Sequence, residues 1–219
     1  MRSLGISVGR KRKFKVTTDS KHKYRVFPNL LNREFDVRIP GTVWVSDITY
    51  IGNRKNPSYL ALITDAYSKK IMGYNVSDSL NVKGSLFALE MALKNRVYKN
   101  EPIIHHSDRG LQYCSNEYQQ ILDKNDIRPS MTEQYDPYEN AIAERINGVL
   151  KQEFAVDKYD TNLEIKSELV RNAIKIYNNL RPHLSNYMLT PNQMHRQKTI
   201  KRKQYKNKKG SNKKSLPLT

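Results

Sequence analysis

Residues 43 to 51 of the chain read VWVSDITYI, a β-branched and apolar stretch that contains one carboxylate, Asp47. Alternate side chains of a strand lie on the same face, so Asp47 shares its face with Val45 and Ile51. Burying an unpaired carboxylate in such surroundings is costly. The pattern therefore predicts either that Asp47 is open to solvent or that a cation compensates its charge, and a metal ion would serve.

The elements predicted outward from this strand follow a definite order. Strands are predicted at 42–51, 59–65, 70–77, 102–106 and 127–131, and helices at 81–97, 115–124 and 140–154. Turn residues separate the first three strands, which indicates an antiparallel meander. The succession βββαβαβα favours a mixed five-stranded sheet of α/β (α+β) class with helices on both faces.

A second candidate carboxylate, Asp108, follows the strand predicted at 102–106 and lies in the sequence HSDRG. Carboxylates at the ends of sheet strands can meet in a crevice at that edge. In isolation, however, an Asp-Arg-Gly sequence more often forms a turn in which the Asp side chain accepts local backbone hydrogen bonds. The interpretation of Asp108 as a site residue therefore depends on its neighbours.

The third candidate is Glu144, on the helix predicted at 140–154. A helical wheel separates an apolar side, formed by Ile142, Ile146, Val149 and Leu150, from a polar side, formed by Asn140, Glu144, Asn147 and Lys151. Glu144 and Lys151 point the same way and can present one metal ligand and one phosphate contact to a common substrate. The alternative is an ordinary solvated polar face.

Three carboxylates suit the chemistry of phosphodiester cleavage and transfer. Two divalent ions about 3.5 to 4 Å apart can activate the attacking oxygen and stabilise the leaving oxygen. Oxygen ligands favour Mg²⁺ or Mn²⁺. This chemistry needs no protein nucleophile, so neither the single cysteine, Cys114, nor one of the 14 tyrosines has to be a covalent catalyst.

The net charge of +18 is concentrated at the two ends of the chain. Residues 1–25 hold nine Lys or Arg against one acid, residues 196–219 hold ten against none, and the segment between them is balanced. Such tails bind phosphate without reading sequence. The alternative is that they are solubilising or ribosome-like extensions.

The remaining composition bears on the compartment. No stretch approaches the roughly 20 apolar residues that span a bilayer, and the N-terminus lacks the apolar core of a secretory signal. One cysteine excludes an intrachain disulfide and any multi-cysteine zinc site. We therefore expect no membrane partner and a cytoplasmic protein.

Four motifs in this order resemble those of the second-reading-frame product of insertion-sequence-three (IS-three) family transposases. They are WVSDITY at 44–50, HSDRGLQY at 106–113, YDPYENAIAE at 135–144 and YNNLRPH at 177–183, the last followed by Thr190-Pro191. Asp108 and Glu144 are separated by 35 residues, as in the Asp-x35-Glu pattern of that family, and Lys151 takes its basic position seven residues beyond the Glu.

The resemblance implies a ribonuclease H-like fold and an integrase-type catalytic core in which Asp47, Asp108 and Glu144 bind two Mg²⁺ or Mn²⁺ ions. It implies a DNA transposase that cleaves the ends of an insertion sequence and transfers them to target DNA, acting as a homo-oligomer. It also implies association with a bacterial nucleoid. Family members usually carry helix-turn-helix material before the core. We therefore expect an upstream-frame partner protein or a frameshift fusion.

The predicted organisation has four parts. Residues 1–35 form a basic N-terminal extension, 36–160 the catalytic core, 161–196 a C-terminal helical part of the core and 197–219 a lysine-rich, disordered tail. Six residues are expected to contact DNA: Arg109, Asn140, Asn147, Lys151, Arg181 and His183.

Two rival functions stay open. One is a ribonuclease H-like nuclease that cuts without joining, since the metal chemistry is shared and only the incoming nucleophile differs. The other is a non-catalytic DNA-binding protein derived from a transposase, against which the complete set of three carboxylates argues.

Overall fold

The structure, a computed structural model, describes residues 22–31, 37–52, 57–133 and 140–197. The strands are β1 (Val43–Gly52), β2 (Pro57–Asp65), β3 (Ile71–Ser77), β4 (Ile103–Ser107) and β5 (Ile127–Met131). The helices are α1 (Val82–Lys94), α2 (Leu111–Cys114), α3 (Asn116–Lys124), α4 (Ala141–Gln152), α5 (Leu163–Asn179) and α6 (Pro191–His195). Three predicted parts lie wholly or partly outside the described residues. They are the tail from residue 198, residues 1–21 and 32–35 of the N-terminal extension, and residues 135–139 of the third motif.

One mixed sheet with the strand order β3-β2-β1-β4-β5 organises the fold. β1 pairs antiparallel with β2, and β2 with β3, so the predicted meander is confirmed. β4 is parallel to both β1 and β5. Parallel strands cannot be joined by a short hairpin. Accordingly, helices lie in the connection from β1 to β4 and in that from β4 to β5.

The alternation of side chains along β1 divides the apolar core into two layers. Trp44 packs with α1, α2 and α3 on one face of the sheet, in a cluster that includes Leu89 and Tyr118. Ile51 packs with α4 and α5 on the other face, in a cluster that includes Leu150 and Tyr177. The predicted cover of helices on both faces is confirmed, and Asp47 lies on the α4 side because it shares the parity of Ile51.

The C-terminal helical part is joined to the sheet by side chains of α5 and α6. The Asn178 side chain accepts a hydrogen bond from Ile71 N and donates one to Ile71 O, both at 3.0 Å, in the manner of a paired strand. Tyr177 is fully buried and its hydroxyl donates to Lys69 O at 2.8 Å. α6 begins with a capping box formed by Thr190 and Gln193.

Two predicted helices have different limits in the structure. α1 ends at Lys94 rather than Val97, because Asn95 caps it with its backbone N–H while its side chain donates to Met72 O at 2.8 Å. Val97 is exposed beyond that end. α2 has no counterpart among the predicted helices, since its four residues are too few to show a helical period. None of the described helices is long and apolar enough to cross a membrane.

Candidate active site

Asp47 lies in the middle of β1 and faces α4. The Asn147 side chain on α4 donates a hydrogen bond to Asp47 Oδ2 at 2.7 Å. The parallel register of β1 and β4 pairs Val45 with His106. Continued by two residues, that register brings Asp47 level with Asp108, just beyond the end of β4.

Asp108 begins the turn that links β4 to α2. Its Oδ1 accepts a hydrogen bond from Gly110 N at 3.0 Å, and the Ser107 hydroxyl donates to its main-chain oxygen at 2.9 Å. The local turn considered as an alternative from the sequence is therefore present. The turn does not prevent Asp108 from lying beside Asp47, because it begins at the end of β4, level with Asp47 on β1.

Glu144 is exposed in the first turn of α4. Ala143 and Ile146 on the same helix are buried against the sheet, Ala143 in the cluster that contains Val45. This packing fixes the rotation of α4 and places Glu144 at the boundary between the buried and the solvent-facing side. Lys151, two turns further along and on the same side, is half-buried.

Electrostatics shows that the three carboxylates share one region. The pKa of Asp47 is raised from 3.8 to about 7, first by burial and then by the negative charges of Asp108 and Glu144, against the hydrogen bond from Asn147. Burial also raises the pKa of Glu144. Lys151 belongs to the same surroundings: burial lowers its pKa, and the charges of Asp157 and Asp47 oppose that shift. A cation placed among these groups would relieve the repulsion.

The residues fit a divalent ion by their chemistry. Among the described residues, no three His, Cys, Asp or Glu side chains are grouped closely enough to hold a metal ion together. Like charges repel, and Asp47 and Asp108 each turn to a local donor. The donor set is nonetheless all oxygen, as Mg²⁺ prefers, and Asn147 Oδ1 beside it is buried without a hydrogen-bond partner.

Four of the six residues expected to contact DNA lie near the carboxylates. Asn140 and Asn147 are buried, and their side chains donate to Ser46 O and to Asp47, so α4 is turned further toward β1 than the helical wheel predicted. Lys151 and Arg109 are half-buried around the carboxylates, and Arg109 Nε donates to Thr132 O at 2.6 Å.

Arg181 and His183 lie at the other end of α4. Arg181 forms a two-pronged ion pair with Glu153, with distances of 2.5 and 2.6 Å. Glu153 caps the end of α4 and is nine positions, about 14 Å of helix, from Glu144. His183 is buried against Tyr177, and burial lowers its pKa to about 4, with Arg181 adding to the shift. The structure therefore does not bring this pair to the carboxylates.

Sequence reasoning missed two groups beside the carboxylates. The Tyr113 hydroxyl is buried without a hydrogen bond of good geometry, and burial, with the charges of Tyr118, Asp108 and Asp47, raises its pKa. Its place at the end of the HSDRGLQY motif is the signal that could have found it. His22 contacts the Asp108 turn from the N-terminal segment, and no sequence pattern marks it.

Comparison with known proteins identifies the family. Two families, both described as Integrase core domain, match residues 37–137 and 125–191. An uncharacterized 31 kDa protein of insertion element IS600 from Shigella sonnei is 36% identical over 183 residues, which cover 83% of this chain and 67% of the relative. The chain belongs to the IS3 family of transposases, which have an integrase catalytic core.

Two further relatives of this transposase family are longer than the matched segment. Transposase InsF for insertion sequence IS3A of Escherichia coli K12 is 33% identical over 184 residues, 84% of this chain and 64% of the relative. The putative transposase for IS986/IS6110 of Mycobacterium tuberculosis H37Rv is 34% identical over 157 residues, 70% of this chain and 56% of the relative. The chain thus spans roughly 56 to 67% of the length of these relatives.

Solved structures show the fold. The chain superposes on a simian T-cell lymphotropic virus intasome, solved in complex with PP2A regulatory subunit B56 gamma, with a TM-score of 0.62 at 18% identity, covering 90% of this chain and 65% of that one. It also superposes on the HTLV-2 integrase catalytic core domain in complex with magnesium, with a TM-score of 0.56 at 19% identity, covering 72% and 97%. The predicted ribonuclease H-like fold is confirmed.

Proposed function

We propose that this chain catalyses metal-dependent cleavage and transfer of DNA strands at the ends of an insertion sequence. One observation carries the proposal. Burial and the charges of Asp108 and Glu144 raise the pKa of Asp47, and the register of β1 and β4 brings Asp47 level with Asp108. A structural role gives no reason to place two further acids near a carboxylate that is already costly to bury.

Asp47, Asp108 and Glu144 would hold two Mg²⁺ ions, for which Mn²⁺ can substitute. When bound, the ions supply Lewis acidity at the attacking and leaving oxygens of the phosphodiester. The hydrogen bond from Asn147 to Oδ2 orients the Asp47 carboxylate. The turn at Asp108 holds its carboxylate at the end of β4. The magnesium present in the HTLV-2 integrase core supports the choice of ion.

Two successive displacements at phosphorus account for cutting and joining without a covalent protein intermediate. In the first, water attacks, the bond from phosphorus to the 3′-oxygen breaks, and that oxygen takes up a proton to become a 3′-hydroxyl. In the second, this hydroxyl attacks a phosphodiester of the target, loses its proton and displaces another 3′-oxygen. Cys114 is buried, and burial raises the pKa of its thiol to about 11, so it is unsuited to replace either nucleophile.

The substrate is DNA, both element end and target. Lys151 would be a phosphate contact close to the carboxylates. The charge of Asp47 influences the pKa of Lys151, which supports this position. Arg109 is a second contact, held by Thr132 O through Nε. Arg181 would contact DNA farther along α4, whereas His183 is buried and would act on DNA only indirectly. Asn140 and Asn147 would act on DNA indirectly, through β1.

We further propose that the chain works as a homo-oligomer together with an upstream helix-turn-helix protein or fusion. The dimeric and trimeric forms of the HTLV-2 integrase core support assembly. The greater length of the relatives supports a further part that recognises the element ends.

A cleavage and joining assay tests the proposal. Labelled element-end duplex and target DNA are incubated with the full chain, the upstream partner and Mg²⁺. Cleaved and joined products are expected with the native chain and with Asp123→Asn, a control on the exposed side of α3. Neither product is expected with Asp108→Asn. Cleavage without joining would establish the nuclease instead, and activity of Asp108→Asn would overturn the site.

A further inference from the structure

A segment before β1, residues 22–31, forms a strap across the edge strand β5. Leu30 N donates to the Ser130 hydroxyl oxygen at 2.9 Å, and Met131 N donates to Pro28 O at 3.4 Å. Phe27 packs against the apolar cluster on that face of the sheet, and Leu31 is buried. These contacts make the strap part of the folded core.

The first described residue of the strap reaches the turn that carries Asp108. His22 Nε2 lies 2.9 Å from Arg109 O, 87 positions away in the chain. A carbonyl oxygen only accepts hydrogen bonds, so Nε2 carries the proton and donates it. His22 Nδ1 is buried and has no hydrogen-bond partner. The ring thus donates to one backbone atom from a fixed position.

Arg109 is held from two sides by this arrangement. Its main-chain oxygen accepts the hydrogen bond from His22, and its side chain donates to Thr132 O at 2.6 Å. Asp108 Oδ1 accepts from Gly110 N across the same residue. The Arg109–Gly110 peptide therefore cannot rotate without breaking the contact of its oxygen with the strap and the contact of its N–H with Asp108.

We propose that His22 is a positioning residue of the active site, which acts through Arg109 to hold the Asp108 carboxylate at the end of β4. The inference rests on the proposed role of Asp108 as a metal ligand. It gives the N-terminal segment a role in catalysis as well as in packing.

The role of the His22 donor can be tested by conservative substitution. Gln has a donor nitrogen at nearly the same reach as His Nε2, whereas Leu fills similar space without a donor. His22→Leu is expected to weaken Mn²⁺ binding roughly ten-fold, as loss of a group that orients a metal ligand does, and His22→Gln to restore most of it. Val26→Ala, an exposed position of the same strap, is the matched control.

Two measurements on the full chain decide the matter without DNA. Hydrogen–deuterium exchange should become faster in His22→Leu across residues 107–113 and stay unchanged elsewhere, and calorimetry should show the weaker Mn²⁺ binding. Unchanged exchange at 107–113, unchanged Mn²⁺ affinity, or faster exchange over the whole chain would each overturn the inference. If the native chain binds no Mn²⁺, the assignment of Asp47, Asp108 and Glu144 as metal ligands is wrong. Hydrogen–deuterium exchange then still shows whether His22 fixes the turn.

Discussion

Two aspartates on adjacent strands have opposite surroundings. Asp65, at the end of β2, is fully buried and accepts hydrogen bonds from Gly41 N, Ser68 N and the Ser68 hydroxyl at 2.6 to 2.8 Å. His195 Nδ1 lies 3.4 Å from the same carboxylate. Burial lowers the pKa of Lys69 and Lys70, and the charge of Asp65 opposes that shift.

Asp47, in the middle of β1, has fewer donors and two acidic neighbours. Its carboxylate accepts one side-chain hydrogen bond, from Asn147, and the charges of Asp108 and Glu144 add to the effect of burial on its pKa. The comparison teaches that burial of an acid alone does not mark a functional site. A carboxylate surrounded by donors joins parts of the fold, whereas one facing other carboxylates carries a charge that a bound cation would balance.

The largest difference between the two aspartates should be in catalysis. We predict that Asp47→Asn reduces cleavage and joining to background while the chain stays folded, because it removes a proposed ligand and preserves the shape of the side chain. Product formation and circular dichroism should be measured on the same preparation. Substantial cleavage by a folded Asp47→Asn chain would end the distinction between the two acids.

Asp65 should matter most for stability. We predict that Asp65→Ala lowers the free energy of unfolding by about 3 kcal/mol, because buried donors of Gly41 and Ser68 lose their acceptor. Urea unfolding at pH 7 measures this, and Asp123→Ala, an exposed substitution, should change stability by less than about 0.5 kcal/mol. Equal effects of the two substitutions would show that the Asp65 network contributes little.

The pH dependence of stability sharpens the comparison further. Asp47 has a pKa of about 7 in the folded chain against 3.8 as its ordinary value, so its protonated form favours folding below pH 4 and this contribution is lost as the pH rises to 7. A fully buried shift of this size corresponds to roughly 4 kcal/mol, and partial exposure reduces the expectation to about 2 kcal/mol.

Asp47→Asn removes the charge that causes this loss. The difference in free energy of unfolding between the substituted and the native chain, both without metal, should grow by about 2 kcal/mol from pH 5 to pH 8. Urea unfolding at both pH values measures the gain. A constant difference between the two chains would mean that Asp47 titrates normally.

A smaller effect is expected from the donor to Asp47. Asn147→Leu removes the hydrogen bond that lowers the pKa of Asp47, so the pH at which activity rises should shift upward and the rate at pH 7 should fall roughly ten-fold. A pH–rate profile measures both. A lower rate with an unchanged profile would indicate that Asn147 only packs α4 against β1.

The smallest expected effect concerns DNA binding at Lys151. Lys151→Gln should weaken binding of unrelated DNA duplexes about equally and reduce the slope of log affinity against log salt by about one. Fluorescence anisotropy over a series of salt concentrations measures the slope, with Lys124→Gln on the exposed end of α3 as the control. An unchanged slope would exclude Lys151 as a phosphate contact.

Local patterns in the chain predicted most of the fold. The alternation around Asp47 identified β1 and its two faces, and the N-cap at Ser115 identified the start of α3, where Ser115 accepts a hydrogen bond from Tyr118 N at 3.3 Å. The inward turn of Asn147 could not be predicted, because a helical wheel gives relative directions and only packing against β1 sets the rotation of α4.

The sequence by itself determined the order of strands and helices, the family and the candidate carboxylates, since these follow from short-range periodicity and motif spacing. Only the tertiary structure decided which acids share surroundings and which polar groups hold them. Asp65 and His195 are 130 positions apart, and His22 and Arg109 are 87 apart. Contacts over such separations leave no periodic pattern in the chain, because they arise when the packed layers bring distant segments together.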